Sequence, residues 1–228
     1  MIPDPAVPPE LPESANARAA DGAAQACKSG GHVDGRAQAE ASMEVPIEAD
    51  VIAATRHWLT RAVIGLNLCP FAKAVHIKGQ IHYFVSAATE APALLDDLER
   101  ELSALAQCDA QQTDTTLVIV PHMLASFDDY NDFIYFSERL LKSLRLSGVL
   151  QIASFHPHYQ FADTAPDAIE NYTNRSPYPI FHLLREASVA RAVEAFPEAA
   201  EIYERNQQTL RELGREGWLE WLAGPPSP

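Results

Sequence analysis

The sequence predicts an α/β protein in which a mostly parallel sheet of three or four strands is covered by helices. Two observations lead to this fold class. Short apolar runs alternate along the chain with longer stretches in which apolar residues recur at helical spacing. The short runs also lack the apolar and polar alternation of a strand with one face in water, so helices should cover both faces of the sheet.

The first half of the predicted domain supplies two helices and two strands. Apolar residues trace one helical face over Asp50–Leu68, which opens with a residue type favoured as an N-cap. The β-rich run Ile81–Val85 predicts the first strand, and regularly spaced leucines predict a helix over Ala91–Gln107. Thr116–Val120 predicts the second strand, which Pro121 ends.

The second half continues the alternation of helix and strand. Ser126 and Asp129 resemble a capping box that opens a helix ending at Gly148. The apolar run Val149–Phe155 then predicts a third strand.

Two helices are predicted to complete the chain. Ser176 and Pro177 supply the N-cap and the first residue of a helix that runs to Phe196. Pro197 begins a further helix toward Leu222. The alternative fold class is α+β, with a ferredoxin-like antiparallel sheet, because residues 75–85 could form a hairpin that turns at residues 78 and 79.

Composition divides the chain into three parts. Residues 1–46 are rich in Ala, Pro, Gly, Glu and Ser and lack aromatics, which predicts a disordered low-complexity tail. Residues 47–224 are predicted to form a single α/β domain with a helical C-terminal part, and residues 225–228 a frayed end.

Charge and hydropathy exclude several classes of partner. Acidic residues outnumber basic ones by 31 to 17, so the chain lacks the clustered Lys and Arg that bind nucleic acid. No apolar run approaches the ~20 residues of a membrane span, and the N-terminus does not resemble a signal peptide. The spacing of the three cysteines indicates neither disulfides nor zinc, and a reducing, cytoplasmic location is expected.

The segment Phe155–Glu186 concentrates the polar and titratable side chains, and we expect a functional site there. In open α/β sheets, ligands bind outside the carboxyl ends of the strands. That rule places His156 and His158 at one rim of the sheet, as candidates for proton transfer.

The predicted helix after Ser176 sharpens this expectation. Tyr178, His182 and Arg185 would share one helical face with apolar residues farther along, so all three should point inward. Arg185 would then either form a salt bridge to Glu170 or Asp163, or line an anion-binding pocket.

Residues at the start of the same helix provide a second argument for an anion. Arg175, Asn174 and Ser176 would lie at the helix N-terminus, where free backbone N–H groups and a guanidinium attract carboxylate or phosphate. The alternative is that these residues only build turns and a cap.

Cys69 is the one cysteine in a suggestive setting. It would be a candidate nucleophile if it lay at the N-terminus of a short helix near a histidine. Its apolar neighbours favour inert packing. A metal site built from His156, His158 and His182 ranks below the anion pocket, because no recognisable zinc pattern is present.

Four segments carry a family resemblance: GLNLCPFAKAV at Gly65–Val75, FDDYNDF at Phe127–Phe133, FHPHYQFAD at Phe155–Asp163 and NYTNRSPYPIFHLLREASV at Asn171–Val189. Together they resemble the bacterial family catalogued as domain of unknown function 1415, over roughly Asp50–Phe196. The resemblance implies a cytoplasmic bacterial protein and carries no particular activity, cofactor or catalytic residue.

The leading hypothesis is an enzyme or enzyme-like protein that binds a small anionic metabolite in this His/Arg/Tyr pocket. The alternative is a non-catalytic interaction or scaffold protein, with Trp218 and Trp221 on a docking helix and a purely structural polar cluster. The sequence indicates no cofactor and leaves the oligomeric state open.

Overall fold

The computed structural model describes residues 47–195 and 201–225, which belong to one compact unit, Glu44–Pro228. The predicted tail, residues 1–46, and the last residues of the predicted frayed end, 226–228, lie outside the described residues. Six α-helices and four strands are described: α1 Glu48–Trp58, α2 Ala72–Ile77, β1 Ile81–Val85, α3 Ala91–Gln107, β2 Thr115–Ile119, α4 Phe127–Ser143, β3 Leu150–Phe155, β4 Ile180–Arg185, α5 Glu186–Ala195 and α6 Ile202–Ala223. A π-helical segment, Leu59–Ile64, follows α1, and a 3-10 helix, Ile169–Asn174, precedes β4.

The four strands form one mixed sheet in the order β1-β2-β4-β3. β1 and β2 pair in parallel, whereas β4 is antiparallel to both of its neighbours. The prediction of a mostly parallel sheet is therefore wrong, although helices and strands do alternate as expected. β1, β2 and β3 all run in one direction, and β4 is inserted between β2 and β3 as in a split β-α-β unit.

The error comes from the predicted helix at residues 177–196, which is wrong in its first half. Residues 180–185 are the central strand β4, and the helix begins only at Glu186. Pro179 explains the difference, because a residue that precedes proline is biased away from the helical region, and here that residue is Tyr178. His182 and Arg185 are three residues apart in a strand, so their side chains leave opposite faces of the sheet.

The alternative hairpin prediction at residues 75–85 is also wrong. Residues 72–77 are the helix α2, and Gly79, with φ 68°, makes the turn into β1. Other predictions are confirmed: β1 and α3 have the predicted bounds, and the Ser126 side chain caps α4 by accepting from the Asp129 N–H at 3.4 Å.

Helices cover both faces of the sheet. One apolar cluster joins α1, the π-helical segment and α6 to one sheet face, including Trp58, Leu117 and Trp218. The second joins α3 and α4 to the other face, including Leu98 and Phe181. β4 contributes to both clusters, with Ile180 in the first and Phe181 and Leu183 in the second. None of the helices in the described residues is long and apolar enough to cross a membrane.

Candidate functional site

At the carboxyl ends of the strands, the buried side chains of Ser86 and His156 form hydrogen bonds within the fold. Ser86 is fully buried, and its Oγ donates to Asp97 Oδ2 at 2.6 Å. His156 is also fully buried: its Nδ1 accepts from the backbone N–H of His158 at 3.0 Å, and its Nε2 donates to the Leu124 carbonyl at 2.9 Å. Burial lowers the pKa of His156, so a neutral imidazole links two loops with both nitrogens engaged. The side chain of His158 is exposed.

The polar loop that follows β3 satisfies its own hydrogen bonds. The fully buried side chain of Asn171 makes three hydrogen bonds, to Phe161, Thr164 and Ala165. Asn174 Nδ2 donates to a carbonyl of β3 at 3.0 Å. Asn171 and Asn174 therefore hold the loop in place.

Arg185 lies apart from the other candidate residues, because it is the last residue of β4 and stands at the opposite end of the sheet. Its guanidinium donates to the carbonyls of Cys108, at 2.6 Å, and Thr113, at 3.1 Å. Neither predicted role fits this position: Glu170 pairs instead with Arg211 at 2.7 Å, and the Arg185 guanidinium ties down the loop between α3 and β2.

No helix begins at Ser176, so the expected anion site at a helix N-terminus is not formed. Arg175 has an extended backbone, and Ser176 Oγ donates to the Tyr178 carbonyl at 2.5 Å on the way into β4. Tyr178 packs against the apolar cluster on the α1 side of the sheet.

Two cavities lie on that side of the sheet. The first, which we call the aromatic cavity, has a volume of about 690 Å³ and lies between α1, α6 and the segment that leads into β4. Its walls include Trp58, Tyr172, Arg175, Ser176, Trp218 and Leu222. Trp218 is 4% exposed and meets the Tyr172 ring edge-on, with 5.4 Å between ring centroids.

Arg175 supplies the cation of the aromatic cavity. Its guanidinium carbon lies 4.1 Å from the centroid of the Tyr172 ring. Nη2 donates to the Pro166 carbonyl at 2.6 Å and Nε to the Tyr159 carbonyl at 3.4 Å. Among the residues that the structure describes, no carboxylate pairs with this guanidinium, and Nη1 donates to none of them.

The second, which we call the sheet cavity, has a volume of about 600 Å³. Its floor is the face of the sheet that carries His182, and its other walls are the π-helical segment, the chain around Cys69 and α2, and α5. His182 pairs across the sheet with Leu117 on one side and Ala153 on the other, and both also line the cavity.

His182 is held in one tautomer. Thr115 Oγ1 donates its single proton to the Leu183 carbonyl at 2.6 Å, so its 2.7 Å contact with His182 Nε2 requires Nε2 to donate. Nδ1 is then an acceptor, and no hydrogen bond joins it to any of the described residues. Desolvation lowers the pKa of His182 to about 4, so the ring is neutral at neutral pH.

The comparisons with known proteins give one result. Residues 50–220 match the family described as "Protein of unknown function (DUF1415)". The chain belongs to the DUF1415 family. This result confirms the resemblance found in the sequence. Neither the curated proteins nor the solved structures contain a match to the chain.

In this DUF1415 chain, the residues expected to form one pocket divide between two cavities. Arg175 and Ser176 line the aromatic cavity, whereas Cys69 and His182 line the sheet cavity. His156 lines neither cavity. No group of three His, Cys, Asp or Glu side chains in the described part of the chain is placed to hold a metal ion.

The sequence does not identify Thr115, which sets the tautomer of His182, or Trp58, which lines both cavities. Thr115 falls one residue before the predicted strand Thr116–Val120, and Trp58 lies within the predicted helix Asp50–Leu68. One signal in the sequence points to the contact between Thr115 and His182. Pro179 disfavours a helical conformation at Tyr178, so residues 180–185 can be predicted as a strand that pairs with its neighbours.

Proposed function

We propose that the protein binds a small organic anion in the aromatic cavity, with the acidic group at Arg175 and an apolar or aromatic body between Trp58 and Trp218. The observation that carries this proposal is the state of Arg175. Its guanidinium is fixed by a ring and two carbonyls, yet no described carboxylate neutralises it. A cation that is already oriented loses little conformational freedom when an anion binds.

The walls of the cavity support the same ligand class. A volume of about 690 Å³ lies in the usual range for small-molecule sites. The rings offer a large apolar surface with few rotatable bonds. His57 also lines the cavity, and its Nε2 donates to the Leu222 carbonyl at 2.7 Å.

The proposal is one of binding and assigns no catalytic role. His156 has both nitrogens engaged, His158 is exposed, and His182 and Cys69 line the other cavity. The hypothesis of a reaction at a single cluster has no support here, because these residues do not line one common cavity.

The rival interpretation, a scaffold protein that docks partners through α6, loses its main support. Trp218 is buried against Tyr172, and Trp221 Nε1 donates to the Arg61 carbonyl at 2.7 Å. Both indoles are thus used to attach α6 to the rest of the protein, so they are not free to enter a partner's groove.

The test compares an acid with its neutral analogue. We expect phenylacetate to bind about tenfold more tightly than phenylacetamide, because only the acid forms a charge-assisted hydrogen bond. Binding is followed by titration calorimetry and by tryptophan fluorescence, since two indoles line the cavity.

Two charge-removing variants locate the effect. Arg175→Gln should abolish the preference for the acid, whereas Arg211→Gln, which removes the same charge from an exposed side chain, should keep it. Equal affinity of the wild type for acid and amide would refute the proposal, and so would an equal loss in both variants. The wild-type comparison decides the matter even if Arg175→Gln does not fold.

A further inference from the structure

The sheet cavity contains a polar atom that the fold leaves unused. Thr115 is engaged by His182 and the Leu183 carbonyl. On α5, Ser188 donates to Asp114 at 2.6 Å and accepts from Arg191 at 2.8 Å. His182 Nδ1 has no such partner among the residues described.

The way the sheet is built places His182 on the wall of the cavity. β4 is the second strand from one edge, and it aims His182 at the cavity side, between Leu117 and Ala153. The bond from Nε2 to Thr115 holds one side of the ring, and His182 lines the cavity. A donor on a ligand bound in the cavity can complete the hydrogen bonding of this acceptor.

The walls determine what else such a ligand must be. They are mostly apolar: Leu59 and Val63 from the π-helical segment, Phe71 before α2, and Ala192 from α5. A π-helical turn is uncommon and is often found at binding sites. The two charged side chains of the wall, Asp114 and Arg191, have opposite signs and are both hydrogen-bonded to Ser188, so the wall does not select for an ion of either sign.

We propose that the sheet cavity is a second ligand site, which takes an uncharged, mostly apolar molecule with one hydroxyl or N–H group that donates to His182 Nδ1. The chemical class differs from that of the aromatic cavity, where a guanidinium selects for an anion. The site does not depend on the proposed function, because it shares no charged group with the aromatic cavity.

The neutral imidazole suits this role. An acceptor nitrogen that stays unprotonated at neutral pH can receive a hydrogen bond from an alcohol or a phenol, whereas an imidazolium has no acceptor nitrogen. His182 is therefore a positioning and specificity residue in this inference, and no proton is transferred to it.

The experiment uses the full chain and two probes that differ in one donor. We expect 4-propylphenol to bind roughly fivefold more tightly than 4-propylanisole, whose methyl ether cannot donate. Without a hydrogen bond the more apolar ether would bind at least as well, so a preference for the phenol reports the acceptor. His182→Leu should remove the preference.

Two alanines of α5 supply a matched pair of variants. Ala192 lines the cavity and Ala190, two residues earlier, is exposed. Ala192→Phe should abolish binding of both probes, and Ala190→Phe should bind them like the wild type. Arg175→Gln should also bind them normally, which separates this site from the aromatic cavity.

Two outcomes would overturn the inference: equal wild-type affinity for the phenol and the ether, or unchanged binding in Ala192→Phe. The first comparison requires no variant, so it holds even if His182→Leu fails to fold. Far-UV circular dichroism of each variant shows whether a loss of binding reflects unfolding.

Discussion

At the scale of single residues, the histidines differ because of what each ring nitrogen contacts. His156 uses both nitrogens to join loops, and His182 uses only Nε2. The sequence places His156 after an apolar strand and His182 on the face of a predicted helix. Neither pattern reveals the deciding partners, Leu124 and Thr115, because both are distant in the chain. A histidine between apolar residues can therefore either join two segments through both ring nitrogens, as His156 does, or keep one ring nitrogen available as a hydrogen-bond acceptor, as His182 does.

The pKa of His182 leads to a prediction about stability and pH. Its pKa falls from the usual 6.5 to about 4 on folding, so between these values the unfolded chain binds more protons than the folded one. Stability should therefore decrease as pH falls through this window, by about 1.4 kcal/mol per pH unit from this group and roughly 3 kcal/mol in total.

Urea unfolding of the wild type and His182→Leu at several pH values measures this contribution. Leucine does not titrate, so the variant should gain stability relative to the wild type as pH falls from 6.5 to 4. Carboxylates contribute acid sensitivity to both proteins and cancel in the difference. A difference that does not change with pH would show that His182 titrates alike in the folded and unfolded chains.

At the scale of elements, α6 depends on one glycine. Gly214 has φ 66° and ψ 175° within the helix, so the helix is kinked there. That backbone region is populated almost only by glycine. The kink separates the two parts of α6 and directs Trp218 toward Tyr172 and the aromatic cavity.

Gly214→Ala should destabilise the protein by about 1–3 kcal/mol, the usual cost of a strained backbone conformation. A Cβ at this position would meet no atom within 4 Å, so the cost is conformational and not steric. Thermal and urea unfolding measure it. Gly217→Ala, in the helical part of α6, is the control: its Cβ would lie 3.0 Å from Leu213 Cδ1, the movable end of a side chain, and the substitution should change stability by less than about 1 kcal/mol. Equal effects of the two substitutions would exclude strain at Gly214.

The elements also show how far the sequence predicts the fold. β1 and α3 were predicted with their observed bounds, because an apolar run and a leucine period leave little ambiguity. β4 was missed because Ile180–Arg185 also fits a helical face when Pro179 is ignored. The two cavities were not predictable from local patterns, since the insertion of β4 between β2 and β3 decides which side chains meet.

At the scale of the whole molecule, both cavities lie on the same side of the sheet and share Trp58. Its ring is 5% exposed and stands edge-on to Phe155, with 5.3 Å between centroids. Ligands in the two cavities would therefore contact the same indole. Any displacement of that ring by one ligand changes the wall presented to the other, and such coupling is reciprocal in free energy.

The division of the chain leads to the last prediction, which concerns residues 1–46. We propose that this segment, poor in aromatic and rich in small and polar residues, contributes little to stability. Among the described residues, the buried members of the two apolar clusters lie between Val51 and Trp218. A protein that begins at residue 47 should therefore unfold within about 2 °C of the full chain, a shift that corresponds to well under 1 kcal/mol.

A second truncation provides the contrast. Ending the chain after Gly214 removes fewer residues but takes away Trp218 and the contacts of Trp221 with Arg61. Loss of a buried tryptophan typically costs about 3–5 kcal/mol, so this protein should unfold many degrees lower. If deletion of residues 1–46 instead lowers the unfolding temperature as much, that segment must pack against the domain, and the proposed boundary at residue 47 would have to be abandoned.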